Sequence, residues 1–103
     1  MRFETKLIYT AHSHNTQDRC SQIILFVLNK GYIPLDPFTM LPPTILDSLK
    51  LGKFERLAID MKILAHCDEL WAFGSITYGV GKEIEWWKKN RVIPVSYFSW
   101  DEI

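Results

Sequence analysis

The residues best suited to do chemistry lie in the stretch Gly79-Val80-Gly81-Lys82-Glu83. Glycines where a loop becomes a helix let a ligand approach the backbone, and the free N–H groups there favour anionic groups. Trp86 and Trp87 follow Glu83 at i+3 and i+4, so indole rings are expected to desolvate its carboxylate and raise its pKa. Because a glutamate near a helix N-terminus is also ordinary dipole compensation, the spacing alone leaves a catalytic and a structural role open.

Other acidic residues near this stretch have plainer interpretations. Glu85 has Lys89 at i+4, the favourable orientation for a solvated ion pair. Asp60 lies one position off the apolar stripe of a predicted helix, where an aspartate is usually solvated. Asp68, at the start of a predicted strand, is expected to be a turn or capping residue. Spacing therefore singles out Glu83.

Histidines and cysteines give weaker signals. His12 and His14 form an H-x-H pair that could bind a metal, but no third ligand has suitable spacing. We therefore predict no metal site, and we expect no cofactor. Cys20 and Cys67 both fall on apolar helix faces, which predicts two small buried thiols and no disulfide framework. The tryptophans, including Trp100, are expected to lie in a core or an interface.

The elements that must position these residues alternate between strands and helices. Period-2 and apolar runs predict strands over 6–11, 32–35, 69–73 and 92–97. Period-3.6 patterns predict helices over 17–30, 44–51, 53–66 and 80–90. This order predicts an α/β fold, a small three-layer Rossmann-like or flavodoxin-like parallel sheet of about four strands flanked by helices. Ligands of such sheets bind at the carboxyl ends of the strands, where the loops at 12–15, 36–38, 74–79 and 97–99 meet.

Length, composition and charge limit the kinds of protein that this chain can be. A chain of 103 residues with 48% hydrophobic content predicts one domain, over residues 1–103, with a packed core. Charge is balanced at 12 basic and 12 acidic residues, which argues against a nucleic-acid partner. No apolar run is long enough to cross a membrane, and residues 1–6 lack the apolar region of a signal peptide. We expect a cytoplasmic protein.

Three stretches in order resemble the nucleoside 2-deoxyribosyltransferase-like superfamily, which includes the deoxynucleoside-monophosphate N-glycosidases. They are residues 8–13 at the first strand, residues 60–68 before the third, and residues 78–84. The run 67–74 is similar to small bacterial and phage members of that superfamily. The resemblance spans nearly the whole chain as one domain.

The resemblance implies double displacement at the anomeric carbon of a nucleoside or nucleotide, the small-molecule partner it predicts. Glu83 matches the nucleophilic glutamate, Tyr9 the tyrosine that positions it, and Asp60 the aspartate that assists the sugar or the base. A covalent carboxylate ester suits an oxocarbenium-like transition state. Superfamily members usually form dimers or larger oligomers, so a homo-oligomer is expected. The implied substrate-binding residues are His12, Ser13, Ser75, Thr77, Gly79 and Gly81.

Departures from the superfamily pattern keep two alternatives open. Residues 12–15 replace a loop that is often Gly-rich or Arg-bearing, and residues 75–78 lack the aspartate that the transferases commonly carry. The segment after the fourth strand is also short. The first alternative is a non-catalytic nucleotide-binding module on the same scaffold. The second is a structural subunit whose tryptophan surface serves assembly.

Overall fold

The structure, a computed structural model, describes residues 5–103. The prediction about a signal peptide falls mostly on residues 1–4 and lies outside the described residues. The strands are β1 (Leu7–His12), β2 (Ile33–Leu35), β3 (Glu69–Phe73) and β4 (Ser96–Phe98). The α-helices are α1 (Cys20–Asn29), α2 (Pro37–Met40), α3 (Pro43–Ser48), α4 (Lys53–Leu64) and α5 (Tyr78–Asn90). Single 3₁₀ segments cover His14–Arg19 and Trp100–Glu102.

All four strands form one parallel sheet in the order β2-β1-β3-β4. In the register, Tyr9 of β1 pairs with Leu35 of β2 and with Leu70 of β3. β2 lies at one edge of the sheet, and Pro34 lies in it where a missing N–H does little harm. The α/β fold predicted from the sequence is therefore present.

Two core clusters lie on opposite faces of the sheet, because successive side chains of a strand point to opposite sides. One cluster is centred on Tyr9, Leu70 and Trp87, and it is covered by α4 and α5. The other contains Ile8, Ile23 and Phe73 and is covered by α1. Helix, sheet and helix thus make the three layers that the sequence predicted. Both cysteines are free thiols, Cys67 in the first cluster and Cys20 at the start of α1.

The N-terminal half of the fold differs locally from the sequence prediction. The helix predicted from residue 17 begins at Cys20, because a 3₁₀ segment precedes it and the Ser13 hydroxyl caps that segment by accepting from the Asn15 N–H at 3.2 Å. The loop predicted after Asp36 contains α2. Asp36 caps this helix by accepting from the Phe38 N–H at 3.1 Å, and Pro37 takes the first helical position.

The C-terminal half also differs at two boundaries. The helix predicted from residue 80 begins at Tyr78. The strand predicted over 92–97 is confined to Ser96–Phe98. Its first residues leave the sheet because the Trp87 indole N–H donates to the Ile93 carbonyl at 2.6 Å, which holds that segment against α5. Among the helices described, none combines the length and the apolar character that crossing a membrane requires.

Candidate functional site

A cavity of about 440 Å³ lies at the carboxyl edge of the sheet, where the end of β1, the start of α5 and the start of α4 meet. This is the edge at which parallel sheets bind ligands, and the volume suits a small molecule. Two acids, Glu83 and Asp60, line it together with the cations Lys53 and Arg56. The apolar lining consists of Phe38, Leu51, Leu57 and Val80, with the Tyr78 ring beside them.

Glu83 is the most deeply placed acid of the cavity. Only 5% of the residue is exposed, and the Tyr9 hydroxyl donates a hydrogen bond to its Oε2. Burial raises the pKa of Glu83 to about 8, the Tyr9 hydrogen bond opposes that rise, and the charges of Asp60 and Asp36 add to it. The predicted rise in pKa is therefore present, and the carboxyl faces the cavity as expected.

Tyr9 lies behind Glu83 at the centre of the sheet and is fully buried. Burial, and then the charges of Glu83 and Asp60, raise the pKa of Tyr9 well above its ordinary value. The phenol consequently stays protonated at neutral pH and can donate its proton to Glu83. Its hydroxyl can orient one carboxyl oxygen of Glu83 and leave the other free for a ligand.

Asp60 joins Glu83 at the cavity instead of standing on a solvated helix face. It lies on α4 and is half-buried, and burial raises its pKa to about 6. Two other acids lie away from the cavity, as their spacing predicted. Glu85 pairs with Lys89 at 3.3 Å on the surface, and Asp68 accepts from the Leu7 N–H at 2.7 Å at the opposite end of β1.

The tryptophans do not form the wall that the i+3 and i+4 spacing suggested. Trp87 is fully buried in the core cluster that holds Tyr9, and Trp86 packs half-buried against the same cluster. Trp100 stacks on Phe73 on the other side of the sheet, with ring centroids 6.5 Å apart. A core role is therefore confirmed for these three tryptophans. The residues of α5 that line the cavity beside Glu83 include Val80 and Tyr78.

The six predicted substrate-binding residues divide into two groups. His12, Thr77 and Gly79 line the cavity, and a Cβ built on Gly79 would meet nothing within 4 Å. Ser13, Ser75 and Gly81 are absent from the lining described here. Ser13 caps the 3₁₀ segment, and the Gly81 N–H donates to the Thr77 carbonyl at 2.8 Å. The free N–H groups predicted from the two glycines therefore do not include that of Gly81.

Sequence reasoning missed the cations of the site. Lys53 Nζ lies 3.8 Å from the centroid of the Tyr78 ring, at the mouth of the cavity. Arg56 donates to the Leu51 carbonyl at 3.1 Å and pairs with Asp47. Together with Asp60 they occupy positions i, i+3 and i+7 of α4, which share one helix face. That spacing was the signal that could have found them.

A second polar cluster lies beneath the cavity, where His12 meets Asp36 and Cys20. His12 Nε2 is 2.7 Å from Asp36 Oδ2, and both side chains are fully buried. Cys20 Sγ lies 3.4 Å from Asp36 Oδ1 and 3.9 Å from His12 Nε2. Burial alone would raise the pKa of Asp36, but hydrogen bonds from His12 and Thr10 outweigh it and hold the pKa below its ordinary value.

The Cys20 thiol is a poor candidate for a nucleophile. Burial, and then the charge of Asp36, raise its pKa to about 11, so that the thiol is protonated at neutral pH. Its neighbour His12 does not activate it, because His12 Nε2 is already engaged by Asp36. The acids of the cavity remain the chemically competent groups.

Comparison with known families places the whole site inside one domain family. A family model described as "Domain of unknown function (DUF7768)" matches residues 8–98. The chain belongs to this family. The matched range runs from the second residue of β1 to the last residue of β4, and it includes every residue of the cavity and of the polar cluster. Comparisons with curated proteins and with solved structures gave no significant match.

Proposed function

We propose that the protein cleaves or transfers the N-glycosidic bond of a nucleoside or nucleotide, with Glu83 as the nucleophile. The observation that carries this proposal is a carboxyl group buried at the base of a cavity of about 440 Å³ and oriented by a phenol whose raised pKa keeps it protonated. The resemblance of residues 8–13, 60–68 and 78–84 to the nucleoside 2-deoxyribosyltransferase-like superfamily supplies the reaction class. Such an enzyme would act on nucleotide pools in the cytoplasm.

In the proposed reaction, a carboxylate oxygen of Glu83 forms a bond to the anomeric carbon while the bond from that carbon to the base nitrogen breaks. The electron pair leaves with the base, which takes a proton from water, while Asp60, mostly ionised at pH 7 with a pKa of about 6, can accept a hydrogen bond from the sugar or the base. Water or an acceptor base then attacks the same carbon, gives up its proton to Asp60 or to solvent, and releases Glu83 as a carboxylate. At pH 7 roughly one molecule in ten carries the ionised Glu83 that the first step needs, given a pKa of about 8.

The charges around the cavity favour a substrate with an anionic end. Lys53 and Arg56 lie on α4 at the mouth, whereas Glu83 and Asp60 lie deeper. A phosphate on the sugar could reach the cations while its anomeric carbon faces Glu83. Nucleoside monophosphates are therefore the preferred substrates within the proposal.

The alternative is a non-catalytic nucleotide-binding module. It is favoured by one observation: a carboxyl with a pKa of about 8 is mostly protonated at neutral pH and can serve as a hydrogen-bond donor to a ligand. Isothermal calorimetry separates the two functions. Binding of a nucleoside monophosphate without any release of base over hours would support the module and contradict the enzyme.

The decisive experiment incubates the protein with a panel of deoxynucleosides and their monophosphates and follows the free base by chromatography. We expect Glu83→Ala to lower the rate of base release by about 10³-fold or more, because the nucleophile is lost. Glu85→Ala is the matched control, since Glu85 lies two residues away on the exposed face of the same helix. Equal rates in the wild type and Glu83→Ala would remove Glu83 from the mechanism.

A second experiment tests the anionic end of the substrate. We expect Lys53→Ala to raise KM for nucleoside monophosphates by about tenfold and to leave KM for the matching nucleosides unchanged, because only the phosphate contacts the ammonium group. Lys62→Ala, on the same helix but outside the cavity lining, is the control. An equal effect on both substrate types would show that Lys53 shapes the cavity without reading a phosphate.

A further inference from the structure

The side chains of His12, Cys20 and Asp36 converge although they come from three separate elements. One metal-ligating atom from each lies within 4.8 Å of the others. His12 ends β1, Cys20 begins α1, and Asp36 caps α2, so the backbone holds all three from different directions. Two of the side chains are fully buried and Cys20 is half-buried, which leaves the thiol as the edge nearest to solvent.

The hydrogen bonds around His12 determine which ring nitrogen faces the cluster. Thr16 Oγ1 donates its proton to the Ser13 carbonyl at 2.6 Å, so it can only accept from His12 Nδ1, 2.9 Å away. The proton on Nδ1 leaves Nε2 as the nitrogen that meets Asp36 and Cys20. Histidines that bind metals are fixed in this manner, with the second ring N–H held by an oxygen.

Asp36 is supported in the same way. Thr10 Oγ1 lies 3.0 Å from Asp36 Oδ2, and the Phe38 N–H donates to Oδ1 at 3.1 Å. The contact of 2.7 Å between Asp36 Oδ2 and His12 Nε2 requires a proton between them. With that proton shared between His12 and Asp36 and the thiol proton in place, the cluster has a net charge of zero.

We propose that His12 Nε2, Cys20 Sγ and an Asp36 carboxylate oxygen form a binding site for one Zn²⁺ ion. On binding, the ion displaces the proton on His12 Nε2 and the proton on Cys20 Sγ, and both protons leave to solvent. A zinc ion with neutral imidazole, thiolate and carboxylate ligands again has zero net charge, so the buried site gains no charge. Nitrogen, sulfur and oxygen ligands together suit zinc, and a water can fill the fourth position.

The ligand spacing is close to what a tetrahedral zinc site needs. Bond lengths of about 2.0–2.3 Å place ligand atoms roughly 3.4–3.6 Å apart. Cys20 Sγ lies 3.4 Å from Asp36 Oδ1 and 3.9 Å from His12 Nε2, whereas His12 Nε2 lies 2.7 Å from the other oxygen of that carboxylate, Oδ2. One ligand atom from each residue already lies within 4.8 Å of the other two. With Oδ2 as the oxygen ligand, its distance to the nitrogen must open by roughly 0.7 Å once an ion replaces the shared proton.

Cobalt(II) titration of the protein without a polyhistidine tag tests the site, because thiolate-bound cobalt absorbs in the near ultraviolet. We expect this charge-transfer band to saturate at one ion per chain and to vanish when zinc is added. Cys20→Ser should abolish the band, and Cys67→Ser should keep it, because Cys67 lies in the core on the other side of the sheet. No band in the wild type, or the same band in Cys20→Ser, would overturn the proposal.

A second measurement uses the wild type alone, so that it does not depend on a variant that folds. Zinc should slow the alkylation of Cys20 by iodoacetamide at least tenfold, with Cys20 identified by peptide mass mapping. An unchanged alkylation rate would identify the cluster as a structural ion pair and would overturn the zinc site. Both measurements are made without a nucleotide, so they stand or fall independently of the glycosyl chemistry.

Discussion

Two effects act in opposite directions on the charge of Glu83: burial disfavours the carboxylate, and the Tyr9 hydroxyl stabilises it. Burial raises its pKa to about 8, while the hydrogen bond from Tyr9 favours the ionised form. A nucleophile needs that ionised form, whereas a proton donor needs the neutral one. The pH dependence of the reaction therefore distinguishes the two roles of the same residue.

The first prediction concerns this pH dependence. For a nucleophilic Glu83, kcat/KM should rise about tenfold per pH unit below its pKa of about 8 and level off above it. Asp60, with a pKa of about 6, is already ionised over most of this range. Initial rates of base release from pH 6 to 9.5 provide the check. A profile that falls above pH 8 would assign Glu83 to proton donation.

The second prediction concerns Tyr9. Tyr9→Phe keeps the buried ring but removes the hydroxyl that stabilises the Glu83 carboxylate, so the pKa of Glu83 should rise further. We expect the rising limb of the rate profile to move about one unit to higher pH. Tyr97→Phe is the control, since Tyr97 is half-exposed on β4. A lower rate with no movement of the profile would point to substrate contact instead.

Single residues were predictable from the sequence where one element carries the whole signal. The surface pair of Glu85 with Lys89 needed only helical spacing. The position of Glu83 at the start of a helix after β3 was enough to place it at the carboxyl edge, whereas the indole wall expected around it is absent from the cavity lining. The cluster of His12 with Cys20 and Asp36 could not be foreseen, because its members are separated by 8 and 16 residues and meet only once β1, α1 and α2 have packed. The H-x-H pattern pointed to His12 together with His14, whereas His12 Nε2 contacts Asp36 and Cys20.

At the scale of elements, the apolar pattern predicted helix α4 but not which part of the fold its polar face would border. The apolar stripe that predicted the helix packs only in part: Leu64 is buried and Met61 packs against the core, but Phe54 is 71% exposed. The polar positions gave no reason to separate Asp60 from solvent. The face of α4 that carries Lys53, Arg56 and Asp60 borders the cavity because the start of α5 lies opposite it. The order of the strands and of the longer helices follows from local sequence, whereas the partner of a polar face depends on packing.

Boundaries were less predictable than the elements themselves, for specific physical reasons. The last strand loses its first residues to the hydrogen bond between Trp87 and the Ile93 carbonyl. Helix α2, in a segment that was predicted to be a loop, exists because Asp36 caps it and Pro37 starts it. Both effects are side-chain contacts with the backbone, which hydrophobic periodicity does not report.

The third prediction concerns the turn that ends β3. Gly74 has φ of +72°, and a Cβ there would meet the Trp100 indole nitrogen at 2.5 Å. Gly74→Ala should lower the free energy of unfolding by about 2–4 kcal/mol, since backbone strain and a clash combine. Urea denaturation measures the change. Gly79→Ala is the control, because open space surrounds its position, and it should not destabilise the domain.

For the whole molecule, the buried acid links folding to pH. The pKa of Glu83 rises from an ordinary 4.5 to about 8 on folding, so between these values the folded chain holds more protons than the unfolded one. The free energy of unfolding must therefore fall as the pH rises through this window. Burying the acid costs stability at neutral pH, and an isosteric amide would avoid that cost.

The fourth prediction follows from this linkage. The stability of the wild type relative to Glu83→Gln should decline by up to about 1.4 kcal/mol per unit between pH 5 and 8. Denaturant melts of both proteins at several pH values give the difference, in which contributions from Asp60 and other groups largely cancel. A difference that stays constant across this range would mean that Glu83 titrates alike in the folded and unfolded chains.

The order of the sheet has a consequence for how the domain comes apart. Its outer members, β2 and β4, have three residues each, while the inner strands β1 and β3 have six and five. Fraying of a short edge strand exposes little apolar surface and costs little free energy. Separating β1 from β3 would expose both core clusters at once. Tyr9 lies on β1, and α5, which carries Glu83, packs against β1 and β3. Glu83 would therefore keep its orientation when an edge strand frays.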